Sequence, residues 1–119
     1  MSKFRFEDLE IWKESITLTN ELYDLSELLI ESKMFSFAEQ LRSAALSITN
    51  NIAEGSGSIS SRDFCVFLNY SHRSAFECAN MIFMLYNRKF INEDYKIKLL
   101  DKIDLICRKI ASFKKSITK

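Results

Sequence analysis

Few residues in this 119-residue chain have the type and spacing to do chemistry. His72 is the one histidine, and it sits beside Arg73. Its imidazole could serve as a general base, but no nucleophile motif sets a cysteine or serine against it, so a surface or interface histidine is the simpler reading. Glu54 and Glu77 are the carboxylates of interest, and an enzyme would need both to converge with His72 in one cleft. The Glu-x-x-His spacing of di-iron bundles and the His-Glu-x-x-His spacing of zinc hydrolases do not occur. Glu54-Gly55-Ser56-Gly57-Ser58 lacks the lysine-serine/threonine ending of a phosphate loop and reads as a helix-terminating turn. The motifs ask for no metal, cofactor or small-molecule substrate.

Glu77, flanked by Phe76 and Cys78, is expected to need a cationic partner. Arg42 and Arg73 are the candidates, because a planar guanidinium binds a carboxylate bidentately. The expectation is a set of structural ion pairs that fixes helix register or subunit geometry. For nucleic acid, no helix-turn-helix, zinc-finger or RNA-recognition signature is present. An RNA-binding alternative rests on Arg42, Arg62, Arg88, Lys89, Lys114 and Lys115, repeated around an oligomer.

Helices must position these groups. There is no proline and glycine occurs only at 55 and 57, while apolar residues make up 47% of the chain. Such a composition predicts one all-α domain. Four helices are expected at about 6–29, 37–54, 61–88 and 93–118, in an antiparallel up-down-up-down four-helix bundle. Ser36-Phe37-Ala38-Glu39 reads as a capping box for the second helix, and Gly55 as its left-handed stop. Ser60 and Asn92 are the expected N-caps of the third and fourth. Apolar steps of four and three from Phe64 to Leu85 and from Leu99 to Ile117 suit knobs-into-holes packing.

The net charge is +1, but it is unevenly spread: residues 1–34 hold eight acids against four bases, and residues 105–119 hold five bases and no acid. The terminal bases complement a helix C-terminus, or form a tail for a polyanion. Cys65, Cys78 and Cys107 form no close pair and fit reduced core residues of a cytoplasmic protein. No run of about 18 apolar residues predicts a membrane span, and the first residues do not begin a signal peptide.

In the second helix Phe37, Leu41, Ala44, Ile48 and Ile52 form an apolar stripe. Beside it, Ser36, Gln40, Ser43, Ser47, Asn50 or Asn51, and Glu54 form a polar one without lysine, which is expected to be specified by a contact. The first helix carries two apolar stripes, Leu9-Trp12-Ile16-Tyr23 and Ile11-Leu18-Leu22-Leu25-Leu29. The third carries Phe76, Met81, Phe83 and Met84 off its main seam. A helix apolar on two sides in a small bundle implies a second partner, so a homo-oligomer is expected. Its expected interface is Ile11, Leu18, Leu22 and Leu25 with Gln40, Ser47, Asn51 and Glu54.

On these residues, nearly the whole chain resembles the 23S ribosomal RNA intervening-sequence proteins, also labelled the S23 ribosomal protein family. The resemblance is carried by Phe6-x-x-Leu9-x-x-Trp12 and by Gln40-Leu41-Arg42 leading into Ser47-Ile48. Asn51-Ile52-Ala53-Glu54-Gly55, Phe64-x-x-Phe67-Leu68 and Ser74-x-x-Glu77 complete it. Ser43 stands where the family commonly has arginine, Thr49 where it often has proline, Ser58 where a base is frequent, and Arg73 where glycine is usual. The resemblance implies a left-handed four-helix bundle assembling into a ring, a pentamer, whose role is largely unassigned. A related branch, the accessory variability proteins of diversity-generating retroelements, binds reverse transcriptase and RNA through a basic pentamer, and the near-neutral charge here sets this chain apart from it.

Overall fold

The computed structural model describes residues 2–118, leaving out Met1 and Lys119. A 3-10 turn, Arg5–Asp8, precedes four helices: α1 (Glu10–Glu31), α2 (Phe35–Ser56), α3 (Ser61–Asn87) and α4 (Glu93–Ile117), and no strand occurs among the described residues. The first element is therefore split. Leu9 is extended, and the Glu7 carboxylate accepts the Lys3 and Phe4 amides at 3.0 and 2.8 Å, closing the short turn. Phe6 then folds back on Trp12, with ring centroids 4.9 Å apart.

Two of the expected boundaries shift for a common reason. α1 and α3 both end in paired turn hydrogen bonds: Met34 N–H to Leu29 O with Lys33 N–H to Ile30 O, and Phe90 N–H to Leu85 O with Lys89 N–H to Tyr86 O, all at 2.9 Å. These are Schellman closures, whose C′ residue must be left-handed, and lysines take that place, with φ 63° at Lys33 and 64° at Lys89. A non-glycine residue there costs about 1–2 kcal/mol. The first closure delivers the chain directly into α2, whose N-cap is Met34 with no side-chain cap. Ser36 consequently lies inside the first turn, and the Ser36–Glu39 capping box does not form. Gly55 is not a left-handed stop either; it is helical and buried. Ser60 and Asn92 do cap α3 and α4, accepting the Asp63 and Tyr95 amides at 3.1 and 2.8 Å.

Each helix packs on the next, and α1 meets α4. The Cα atoms of diagonal helices stay more than 8 Å apart, so the four stand in a square 44 Å long and 23 Å across. Partners match in reverse order: Thr19 Oγ1 donates to Ala45 O at 3.2 Å, whereas Ser26 Oγ accepts from Arg42 Nε at 2.7 Å. Ser71 Oγ donates to Ile48 O at 2.7 Å and Ser74 Oγ to Ser47 Oγ at 2.8 Å, tying α3 to α2. Lys109 pairs with Glu10 and Glu14, and Lys102 with Glu21, across the α1/α4 seam. The acid-rich start and base-rich end of the chain thus answer each other at these positions. Leu22, Leu25, Leu41, Ile48, Leu68, Ile82 and Leu99 are fully buried, each stabilising the fold by about 1.5–3 kcal/mol through removal from water.

Candidate functional site

The hydrophobic stripe that the sequence assigns to subunit contact is core. Ile11, Leu18, Leu22 and Leu25 are all buried within the single chain, together with Leu29. That stripe points at the bundle axis: buried Ser15 fills the seven-residue step from Ile11 to Leu18, so the 4-3 spacing runs on to Leu29. The other stripe is half-buried: Trp12 lies against the core and Phe6, and Tyr23 lies under Arg42.

The polar stripe of α2 finds its contact inside the chain. Ser47 Oγ receives both Ser74 Oγ and Asn51 Nδ2, the latter at 3.0 Å, and Asn51 Nδ2 also donates to Ser47 O. Gln40 and Glu54 remain exposed. Small residues are required here because α2 and α3 approach closely: a Cβ on Gly55 would lie 2.7 Å from Phe64 Cδ1 and 2.7 Å from Phe67 Cβ.

The ion pairs expected at Glu77 are not formed among the described residues. Glu77 and Arg73 are both exposed and line a shallow polar depression with Ser47, Asn51, Tyr70 and Ser74. Arg42 is engaged elsewhere, bonded to Ser26 and stacked 5.1 Å from the Tyr23 ring. Exposure removes the desolvation that would have obliged Glu77 to find a partner. His72 lies on the opposite side of α3, stacked on Phe76 at 5.0 Å, so it and Glu77 face different seams.

The basic candidates do not gather in one patch. Arg88 and Lys89 sit in the α3–α4 turn, whereas Arg62 begins α3 and Lys114 and Lys115 end α4. Twenty-seven helical residues separate the two groups, or roughly 40 Å at 1.5 Å per residue.

A groove of about 440 Å³ lies on the α3/α4 seam. His72, Phe76, Ala79 and Phe83 form one wall, and Leu100, Cys107 and Ala111 form the other over a floor of Ile103. Phe76 and Phe83 stand 61% and 53% exposed on its rim. Lys96 Nζ lies 5.9 Å from the Phe83 ring and 4.0 Å from Tyr86. Burial pushes the Cys107 thiol up to about 11 and Cys78, beneath it, up to about 12, so neither is a thiolate at neutral pH. The groove is thus mainly apolar, with the exposed ion pair Arg108–Asp104, 2.8 Å apart, on its lining. Sequence reasoning noticed Phe76 and Phe83 but missed the α4 wall, although Leu100, Cys107 and Ala111 at i, i+7 and i+11 form one readable line.

No helix of the described chain is long and apolar enough to cross a membrane, and no cluster of His, Cys, Asp or Glu able to hold a metal occurs among the described residues. These features define a four-helix protein with one mainly apolar groove, on the α3/α4 seam. The model of the 23S rRNA-intervening sequence proteins matches residues 7–112, and the chain belongs to that family. A crystal structure of a protein of unknown function from the S23 ribosomal protein family of Bacteroides thetaiotaomicron, at 1.70 Å resolution, superposes with a TM-score of 0.84. It is 23% identical, and the match covers 88% of this chain and 95% of that one. No curated protein matches the chain.

Proposed function

We propose that this protein is a non-enzymatic scaffold that works as a ring-like homo-oligomer, a pentamer, of left-handed up-down-up-down bundles in the cytoplasm. The observation carrying this reading is the α3/α4 groove with Phe76 and Phe83 largely exposed at its rim. Aromatic rings lining an apolar concavity are what protein interfaces are enriched in, and a lone small bundle gains nothing by displaying them. Family membership and the solved relative speak for the bundle fold alone. Native mass spectrometry at low salt tests it: the expected species is a multiple of the 13.9 kDa chain, and a bare single chain refutes the reading.

A second reading, RNA binding, is favoured by the exposed Arg62 and Lys115 at one end of the bundle and Arg88 and Lys89 at the other. A ring would repeat both sets at its two rims. Retention of RNA that falls steeply with salt is the expected result, and no retention at low salt excludes it.

A further inference from the structure

We infer that the α3/α4 seam binds a single-chain fatty acid, its tail along the apolar length and its carboxylate at Lys114 and Lys115. The α3/α4 groove is one half of a longer trough. A second hollow, of about 380 Å³, shares His72 and Ala111 with it and continues toward the C-terminal end of α4. Leu68 and Ile110, both fully buried, lie at its base. From Leu100 to Lys114 the trough follows α4 for roughly 21 Å at 1.5 Å per residue. At about 1.2 Å per bond, an extended hydrocarbon chain of about 12–16 carbons occupies most of that length.

Width and charge select the occupant. Directly packed helices have axes about 8–10 Å apart, so the furrow between α3 and α4 is one side chain wide. A single hydrocarbon chain reaches its floor at Ile103, whereas a helix about 10–12 Å across rides on the rims. A two-chain lipid has room there for one chain only. Charge is uneven along the trough. Asp104, the one acid of the lining, is answered by Arg108. Lys96, near Phe83, lies over the Tyr86 ring. Lys114 and Lys115 line the far hollow, which has no acid in its lining, and neither is salt-bridged among the described residues. An apolar trough ending on two unpaired cations complements a chain that ends in one anion. This site goes beyond the scaffold reading and does not rest on it: a tail on the floor leaves the exposed edges of Phe76 and Phe83 to a neighbouring subunit.

Titration calorimetry of the full chain with laurate, below its micellar concentration, tests the site. One laurate per chain is expected, and dodecyltrimethylammonium, a cation of the same chain length, should bind about tenfold more weakly or worse. Affinity should rise about three- to tenfold from decanoate to laurate and again to myristate, since each step buries two more methylenes. Ala111→Trp blocks the trough where its two hollows meet and should abolish binding; Ala79→Leu replaces it if circular dichroism shows that chain unfolded. Lys114→Glu/Lys115→Glu should weaken laurate about tenfold or more and admit dodecyltrimethylammonium. No saturable binding overturns the site. So does equal affinity for the acid and the cation, or laurate binding that the trough and lysine variants leave unchanged. Sedimentation velocity separates this result from the scaffold reading. A single chain that binds laurate refutes the scaffold alone. An oligomer that excludes laurate shows the groove filled by a second copy, and overturns the site alone.

Discussion

The two sides of α3 are built from opposite materials. Toward α2 it presents Ser71, Ser74 and Phe67, and meets Gly55, Ser47 and Ile48 so closely that hydroxyls bond across the seam and a methyl group at position 55 has no room. Toward α4 it presents His72, Phe76, Ala79 and Phe83, and the helices leave a groove between them. Small residues let backbones approach until the seam is closed; bulky rings hold a neighbour off and leave surface for something else. The contrast separates residues that hold the fold from residues that the fold displays.

Phe64 and Phe76 put that contrast on one helix, with 1% and 61% exposure. Phe64→Ala is expected to cost about 3–5 kcal/mol, because it empties the space beneath Gly55 and against Phe113. Phe76→Ala should change the stability of the dissociated chain by less than about 0.5 kcal/mol. Urea melts at low protein concentration measure both, and equal costs would erase the distinction between the two sides.

Gly55→Ala probes the closed side alone. Overpacking against Phe64 and Phe67 costs about 1–3 kcal/mol, and the gain in helix propensity returns about 1, so a net loss of about 1–2 kcal/mol is expected in the same melt. A raised midpoint would show that the seam has slack.

The smallest effect concerns the charged α1/α4 seam, which is neither closed like one side of α3 nor apolar like the other. Hydrogen bonding and attraction from Lys109 hold the Glu10 carboxyl below its ordinary 4.5. Its contribution is complete above about pH 4.5 and fades as pH falls through the lowered value. Lys109, held above its ordinary 10.5 by hydrogen bonds to Glu14 and Glu10, contributes fully below about pH 10.5 and loses its part as pH rises through the raised value. Hydrogen exchange corrected for intrinsic rates should therefore quicken in the outer turns of α1 and α4 at pH 3 relative to pH 7, while amides at the α2/α3 seam change less. Uniform quickening would assign the acid response to the whole fold.

Much of the architecture was legible because it is written in local periodicity. Four apolar patterns without proline forecast the helix count, and Ser60 and Asn92 marked two starts by cap chemistry alone. Other features depended on contacts between distant residues. Gly55 resembled a helix stop, and only the approach of Phe64 and Phe67 reveals why a side chain is excluded there. Lys33 and Lys89 carried no mark of left-handed turns, because turn closure, not their own preference, places them at positive φ. Two apolar stripes on α1 were visible, but which one faced inward depended on where α2 and α4 lay. Phe76 and Phe83 stood out in sequence, yet the groove they border required the register that sets Leu100, Cys107 and Ala111 opposite.

The lysine–glutamate ladder between the first and last helices also bears on how the chain is made. Its pairs join residues 81, 95 and 99 positions apart, the most distant side-chain bonds in the bundle. On a ribosome, α1 and α2 can dock as a hairpin and α3 can follow, each through contacts of short sequence range. Glu10, Glu14 and Glu21 then wait on an open edge until Lys102 and Lys109 of α4 have emerged. During that interval the nascent bundle is three helices with a carboxylate-lined flank, and negative charge along the unfinished edge discourages neighbouring nascent chains from pairing there in place of α4.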